Sequence, residues 1–461
     1  MKIGETHSLL EKAEKIWQAA LAEVAPKNLV GKSVIRKTDT LFVQEKRYEL
    51  SAYENIYLIA FGKAAPAMAE SLMDILGDCV QAGLVVALPG QKISLPGINV
   101  LEAPHPLPDE RSLDAGREIL ALARAAGQKD LVVILLSGGG SAQVCLPLQG
   151  ISFEDKRHIT QELMLRGANI TELNIVRKHL SAIKGGRLAD AAFPAEIINL
   201  VISDVIGDDL EAVASGPAHW DSSAFGDALG ILQKYDLWDN VPRSIRDIIS
   251  EGRNGKLPDT LKKNDRVFEK VSSFIIGNNA LALGAARLKA ERLGFKTIIL
   301  TSTDRGEARL AAKIYVSLLV SLAVSGKKLE QPRCFLSGGE LTVRVKGPGK
   351  GGRNQEFVLA VLSEIERHTE SGPLSGRDWL VASLGTDGID GNTDAAGAWA
   401  SRATIQKSRE LGLDIQRFLD DNDSYHFFQK AGGLIVTGPT GTNVMDLRMF
   451  FLADKKGKGE K

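Results

Sequence analysis

Residues 131–143 read LVVILLSGGGSAQ. Six consecutive apolar residues without alternation suit a strand buried on both faces, as in a parallel sheet. The run stops at a serine-flanked glycine triplet, where backbone amides can approach a ligand beyond the strand's carboxyl end. Similar runs occur at 56–61 (IYLIAF), 84–88 (LVVAL), 98–102, 197–202 (IINLVI), 273–276, 297–301 (TIILT), 333–336, 379–384 (WLVASL) and 434–437. Helical patterns separate them. Ser152 and Asp155 form a candidate capping box before 153–166, and Ile170, Leu173, Val176, Leu180 and Ile183 recur at helical spacing. This alternation predicts an α/β protein with mainly parallel sheets.

At 461 residues the chain is too long for one ordinary domain. The polar stretch 251–265, EGRNGKLPDTLKKND, is the best linker, giving α/β domains at 1–255 and 266–461 that chain crossings could make discontinuous. A strand pair at 333–337 and 341–346 opens a subdomain of the second, and the charged tail 455–461 reads as a frayed end. Lys plus Arg and Asp plus Glu are each 57, which favours neither a nucleic acid nor a membrane surface as partner. No apolar run is long enough to span a bilayer. Cys79, Cys145 and Cys334 are widely spaced without a C-x-x-C, which suits a reducing cytoplasm. Oligomeric state leaves no signature.

Glycine is enriched, at 46 residues or about a tenth of the chain against ~7% typically. It clusters after predicted strands, at LLSGGGSA (135–142), FLSGGE (335–340), SLGTDGIDG (383–391) and VTGPTGTN (436–443). Four such loops, three carrying acids or hydroxyls, point to a phosphate or carboxylate ligand. A Walker A loop is excluded, because Pro26 stands where Gly31-Lys32-Ser33 would need its first glycine. Gly347, Gly349 and Gly352 do match G-x-G-x-x-G, but Pro348 stiffens the turn and the next strand-end acid, Asp387, comes too late for a ribose contact. With Lys346, Lys350 and Arg353 around it, this segment reads as a cationic anion loop. Lys63 follows a strand directly, Asp204 and Asp208-Asp209 follow another, and Arg177, Lys178, Lys184 and Arg187 mark a basic helix. Around Ser141 the sequence lacks the last glycine of G-x-S-x-G, which leaves little support for a serine hydrolase. Glycine cradles, cations and strand-end aspartates are the parts that phosphoryl transfer uses.

The segments AFGKAAPAMAE, LLSGGGSAQVCLP, NIVRKHLSAIKGGRLA, ISDVIGDDLEAVASGP, FLSGGELTVRVKGPGKGGRNQE, SLGTDGIDGNTDAAGA and GGLIVTGPTGTNVMDLRM resemble, in this order, the class II glycerate kinases, over about residues 10–452. That resemblance implies two Rossmann-like α/β domains facing a cleft, the second with a MOFRL region at about 333–450. It implies ATP- and Mg²⁺-dependent phosphorylation of the 2-hydroxyl of D-glycerate. The alternative is an NAD(P)H-dependent hydroxypyruvate reductase, a label given to some relatives. The motif residues fall on Lys63, Asp204 and Arg353 as catalytic candidates. Ser137, Gly138, Gly139, Gly140, Ser141, Lys184, Ser337, Gly338, Gly339, Glu340, Asn354, Glu356 and Thr386 form the candidate ligand-binding set, and Asp387 is the candidate Mg²⁺ ligand. Which glycine loop takes ATP and which takes glycerate stays open. Cys145 departs from the small or aliphatic residues common at that place in the family.

Overall fold

The computed structural model describes residues 3–324, 329–369 and 372–455. Residues 456–461 of the expected frayed tail lie outside them. The chain forms two compact units, one of Pro26–Gly277 and one of Met1–Ala25 together with Asn278–Lys461.

The first unit opens with the helix Pro26–Ser33 and then a small antiparallel meander, β1 (Val34–Lys37), β2 (Thr40–Val43) and β3 (Lys46–Glu49), too short and polar to stand out in the sequence. Six strands then build its main sheet: β4 (Asn55–Phe61), β5 (Ala82–Ala87), β6 (Ile98–Glu102), β7 (Asp130–Leu136), β8 (Glu196–Ile202) and β9 (Val271–Gly277). Their order is β6-β5-β4-β7-β8-β9, and every neighbouring pair is parallel. All seven residues of β7 are buried, as its unbroken apolar run requires. Asp130 sets the register at its start: Oδ1 accepts from the Asn55 backbone N–H and side-chain amide at 3.1 and 2.8 Å, and Oδ2 from Gly127 N–H at 2.7 Å. The chain proceeds outward from β4 to β6, then returns to place β7 on β4's other side. The order therefore reverses between β4 and β7, the switch point at which open parallel sheets bind ligands.

Helix Phe153–Leu165 begins as read, with Ser152 Oγ accepting from Asp155 N–H at 3.0 Å. The capping box is not closed, because the Asp155 carboxylate accepts from Ser244 Oγ instead. Residues 251–265 do not link the two units. The chain passes between them at 25/26 and 277/278, whereas this polar stretch is bound into the first unit. Leu261 N–H donates to Gly185 O at 3.0 Å, Asp221 N–H donates to Leu261 O at 2.8 Å, and Asp259 pairs with His179 at 3.0 Å.

The second unit carries β10 (Lys296–Asp304), β11 (Arg333–Gly339), β12 (Arg377–Gly385), β13 (Gly397–Ser401), β14 (Leu434–Ile435) and β15 (Asp446–Asp454), in the order β10-β11-β15-β12-β13-β14. This sheet is mixed. Only β10 and β11 pair in parallel; the remaining four pairings are antiparallel. The expected mainly parallel arrangement thus describes the first sheet and not the second, because β15 enters antiparallel between β11 and β12. Residues 341–346 form no strand, and Thr342 makes a lone bridge to Glu307.

Strand β15 carries the second core. Phe450 is buried, stacks on Tyr315 with centroids 4.9 Å apart, and meets Phe357 edge-on at 5.9 Å. Removing a buried aromatic from such a cluster costs about 3–5 kcal/mol. Phe450→Ala should therefore lower the stability of this unit by that amount in denaturant titration, while Leu165→Ala, at an exposed position, should change stability by less than about 0.5 kcal/mol.

Candidate active site

In the first unit, the carboxyl ends of three adjacent parallel strands bring the predicted residues together. Lys63 follows β4, the glycine triplet follows β7, and Asp204 follows β8. Lys63 N–H donates to Gly138 O at 2.8 Å, and Ser137 Oγ accepts from Ala64 N–H at 2.9 Å, which ties the β4 and β7 loops together. Gly138 lies against Asp204, so that a Cβ there would overlap the carboxylate. Gly139 has φ +87°, and a Cβ on it would lie 3.2 Å from Lys63 Cγ and 3.0 Å from His105 Cδ2. Neighbouring Cα atoms are about 3.8 Å apart, so Lys63 and Asp204 share one small patch of backbone. Both are partly exposed.

The loop's amides point to its use. Among the described residues, the N–H groups of Gly138, Gly139, Gly140 and Ser141 donate to no protein acceptor. Four successive unclaimed amides beside a lysine make an oxyanion cradle. Lys184 is buried and donates to Ser141 O at 3.2 Å and Val144 O at 3.1 Å, bracing the loop from its carboxyl side. Ser141 Oγ meets Ser215 Oγ at 2.7 Å, and Ser215 Oγ donates in turn to Asn174 Oδ1 at 3.2 Å. His105, Asn174 and Ser215 were not foreseen as site residues. They come from segments distant in sequence, with no pattern linking them to the loop.

The other three glycine clusters are built differently. Ser337, Gly338 and Gly339 lie inside β11, paired with Arg448, Leu447 and Asp446 of β15, so they form ladder and not an open loop. In 385–391, Gly385 N–H donates to Ala396 O, Thr386 N–H to Met445 O and Asp390 N–H to Ala395 O, at 2.8–3.0 Å. In 436–443, Thr440 N–H donates to Asp387 O at 3.3 Å and Thr442 N–H to Thr440 Oγ1 at 3.4 Å, so hydroxyl-bearing residues and not a run of successive glycines shape the turn. The G-x-G-x-x-G segment is likewise committed. The amides of Lys346 and Gly347 go to Asn422 Oδ1, that of Gly349 to Asp421 O, that of Lys350 to Asp423 Oδ1 and that of Gly351 to Asn392 Oδ1. These backbone amides are committed within the protein, which leaves the side chains of Lys346, Lys350 and Arg353 as the cationic part of this segment, and no strand leads into it.

Arg353 opens the helix Arg353–Thr369 and uses its whole fork. Nε and Nη2 donate to Asp446 at 2.8 and 2.9 Å, and Nη1 pairs with Glu340 at 2.6 Å. Burial alone would lower its pKa, but Asp446 and Glu340 more than offset this and raise it. Asn354 is buried, donating to Asp390 and Asp446 and accepting from Ser383 Oγ. Glu356 is buried against Arg309 at 2.7 Å and Asn422 at 2.9 Å. Thr386 Oγ1 donates to Met445 O and accepts from Val444 N–H. These three side chains are thus satisfied internally. Asp387 Oδ1 accepts from Ile389 N–H at 3.2 Å. Among the described residues, no three His, Cys, Asp or Glu side chains group to hold a metal.

Asp390 caps the same helix through the amides of Asn354 and Gln355, at 3.0 and 2.9 Å. Burial raises its pKa to about 6, against these hydrogen bonds and with help from Asp446. An acid whose folded pKa is raised stabilises the fold most below its unfolded pKa of about 4, and the contribution is lost as pH rises through 6. Stability measured between pH 4 and 6 should therefore fall with pH more steeply in the wild type than in Asp390→Asn. The integrated difference is about 3 kcal/mol.

Comparison with known proteins supplies the family. Residues 12–250 match a domain-of-unknown-function family, DUF4147, and residues 333–446 match the MOFRL family. A glycerate 2-kinase of Pyrococcus horikoshii is 41% identical over 95% of this chain and 96% of its own length. A D-glycerate 2-kinase of Thermotoga maritima is 38% identical over 86% of this chain and 90% of its own. The crystal structure of a glycerate kinase from Thermotoga maritima superposes with a TM-score of 0.83 at 35% identity, covering 97% of this chain and all of that one. The chain belongs to the glycerate kinase family that carries the MOFRL domain.

Proposed function

We propose that the protein transfers the γ-phosphoryl group of ATP to the 2-hydroxyl of D-glycerate, giving 2-phospho-D-glycerate and ADP. The observation that carries this reading is the open row of amides at Gly138–Ser141, at the switch point of a parallel sheet, with Lys63 and Asp204 packed on two adjacent glycines. The amides receive an oxyanion that needs no side-chain partner. Asp204 accepts the 2-hydroxyl proton as that oxygen attacks phosphorus and the bond to ADP breaks. Lys63 neutralises charge spreading over the transferring phosphoryl oxygens. Arg353, in the second unit, is the further cation suited to phosphate charge once it releases Glu340, the more exposed of its two carboxylates. Ser337, Gly338, Gly339, Asn354, Glu356 and Thr386 position the Arg353 region from within.

Mg²⁺ in such reactions is carried largely by nucleotide phosphates and water, with one or two protein carboxylates. The Asp387 carboxylate is of the donor type that set needs, and the ion would supply charge neutralisation at the phosphates. The hydroxypyruvate reductase alternative is not favoured. It needs a pyrophosphate cradle, and the amides of 346–351 are already taken. No helix among the described residues is long and apolar enough to cross a membrane. Three free cysteines suit the cytoplasm.

Purified protein given ATP, Mg²⁺ and D-glycerate should form 2-phosphoglycerate and not the 3-isomer. NADH oxidation with hydroxypyruvate and no phosphorylation would overturn the assignment. Lys63→Ala and Asp204→Asn should each lower kcat by about 10² or more with little change in melting temperature. Turnover of Asp204→Asn within a few-fold of wild type removes its role as base.

A further inference from the structure

Beside the Ser141 end of the cradle, Lys184 lies within electrostatic reach of two further cations, Lys156 and Arg177. Lys184 Nζ is held only by the carbonyls of Ser141 and Val144. Lys156, from the helix Phe153–Leu165, is 3% exposed, and its Nζ has no hydrogen-bond partner. Arg177, from the helix Ile170–His179, reaches Met164 Sδ at 4.0 Å and pairs with no carboxylate among the described residues. Lys156 and Lys184 each interact electrostatically with Arg177 and with buried Cys145; Lys184 also feels Lys156, and Lys156 also feels Arg187 from the helix Arg187–Ala192. Nearby acids are engaged elsewhere: Asp221 holds Lys178 at 2.5 Å, Asp259 holds His179 at 3.0 Å, and Asp155 accepts from Ser244.

Cations buried together without acids are unfavourable unless an anion enters or a proton leaves. We propose that Lys156, Arg177 and Lys184 form a subsite for a small oxyanion, a carboxylate or a phosphate, beside the Gly138–Ser141 loop. Arg177 is the least buried of the three. Only the identity of the anion rests on the kinase reading, under which it is the carboxylate of glycerate. Burial and the neighbouring cations hold Lys184 at about 7 and Lys156 at about 8. An arriving anion raises both, so binding at pH 8 draws protons from solution.

Titration calorimetry of the full chain at pH 8, in two buffers of different ionisation enthalpy, tests this with D-glycerate, inorganic phosphate and uncharged glycerol. At least one anion should bind with proton uptake, and glycerol should show none. Lys156→Met and Arg177→Gln, checked for folding by circular dichroism, should each weaken that anion at least tenfold, and Lys156→Met should reduce the proton uptake. If Lys156→Met does not fold, Arg177→Gln, at the least buried of the three positions, carries the test. Glycerate binding of this kind assigns the subsite to the acceptor. Phosphate binding alone, with the same losses, supports the subsite and counts against the acceptor assignment. Wild-type affinity and proton uptake in the folded variants, or no anion binding to the wild type, overturns the proposal.

Discussion

At residue 138 there is no room for a side chain, and the first unit is organised around that fact. The Asp204 carboxylate occupies the space a Cβ would fill, while Lys63 and His105 lie against the next glycine. Each contact requires the loops after β4, β7 and β8 to meet at one level. Parallel pairing delivers this, because neighbouring parallel strands end on the same edge. Asp130 fixes the opposite end by bonding the start of β7 to the start of β4, so register errors cannot accumulate along these strands. The apolar run of β7 and the glycine triplet after it thus act as a single device: burial fixes where the strand ends, and the missing side chains let charge approach the backbone there.

The second unit reaches a charged site by another route. Its sheet is mixed, and its ionic centre is built from buried pairs. Arg353 is held by Asp446 and Glu340, while Arg448 is buried with Asp304 at 3.2 Å and Asp446 at 3.5 Å. Breaking a buried pair by deleting one partner costs several kcal/mol, because the other charge is left stranded. Such a network supports a fixed geometry, and of its carboxylates Glu340 is the one at the surface.

Much of the first sheet was legible because its inner strands β4, β5, β7 and β8 are largely buried and therefore read as unbroken apolar runs. The meander β1–β3 was not, since four-residue strands with exposed lysines and arginines carry little signal. Strand β15 was missed although its start lies in the motif VTGPTGTNVMDLRM. The glycines upstream dominated that reading, and one late antiparallel strand leaves no local mark of where it inserts. The polar composition of 251–265 suggested a linker, but Asp259, Thr260 and Lys262 within it hydrogen-bond to His179 and Ser223 of the first unit. At the site, Lys63, Asp204 and the 137–141 loop were readable because strand-end position is a sequence property. Sequence weighted the four glycine clusters alike, and the structure separates them by where their amides go. Asp390, Asp446 and the pairing of Lys184 with two carbonyls depend on tertiary contacts that no spacing reveals.

The central claim is that the close approach at Gly138, and not merely a flexible turn, makes the cradle. Gly138→Ala tests it most directly, since the substitution adds one methyl group where Asp204 lies and changes no charge. Steady-state kinetics with ATP, Mg²⁺ and D-glycerate, paired with a melting curve, should show kcat reduced by about 10² with the fold retained, as displacement of the proposed base by about 1 Å implies. Turnover of Gly138→Ala near the wild-type value would contradict the claim.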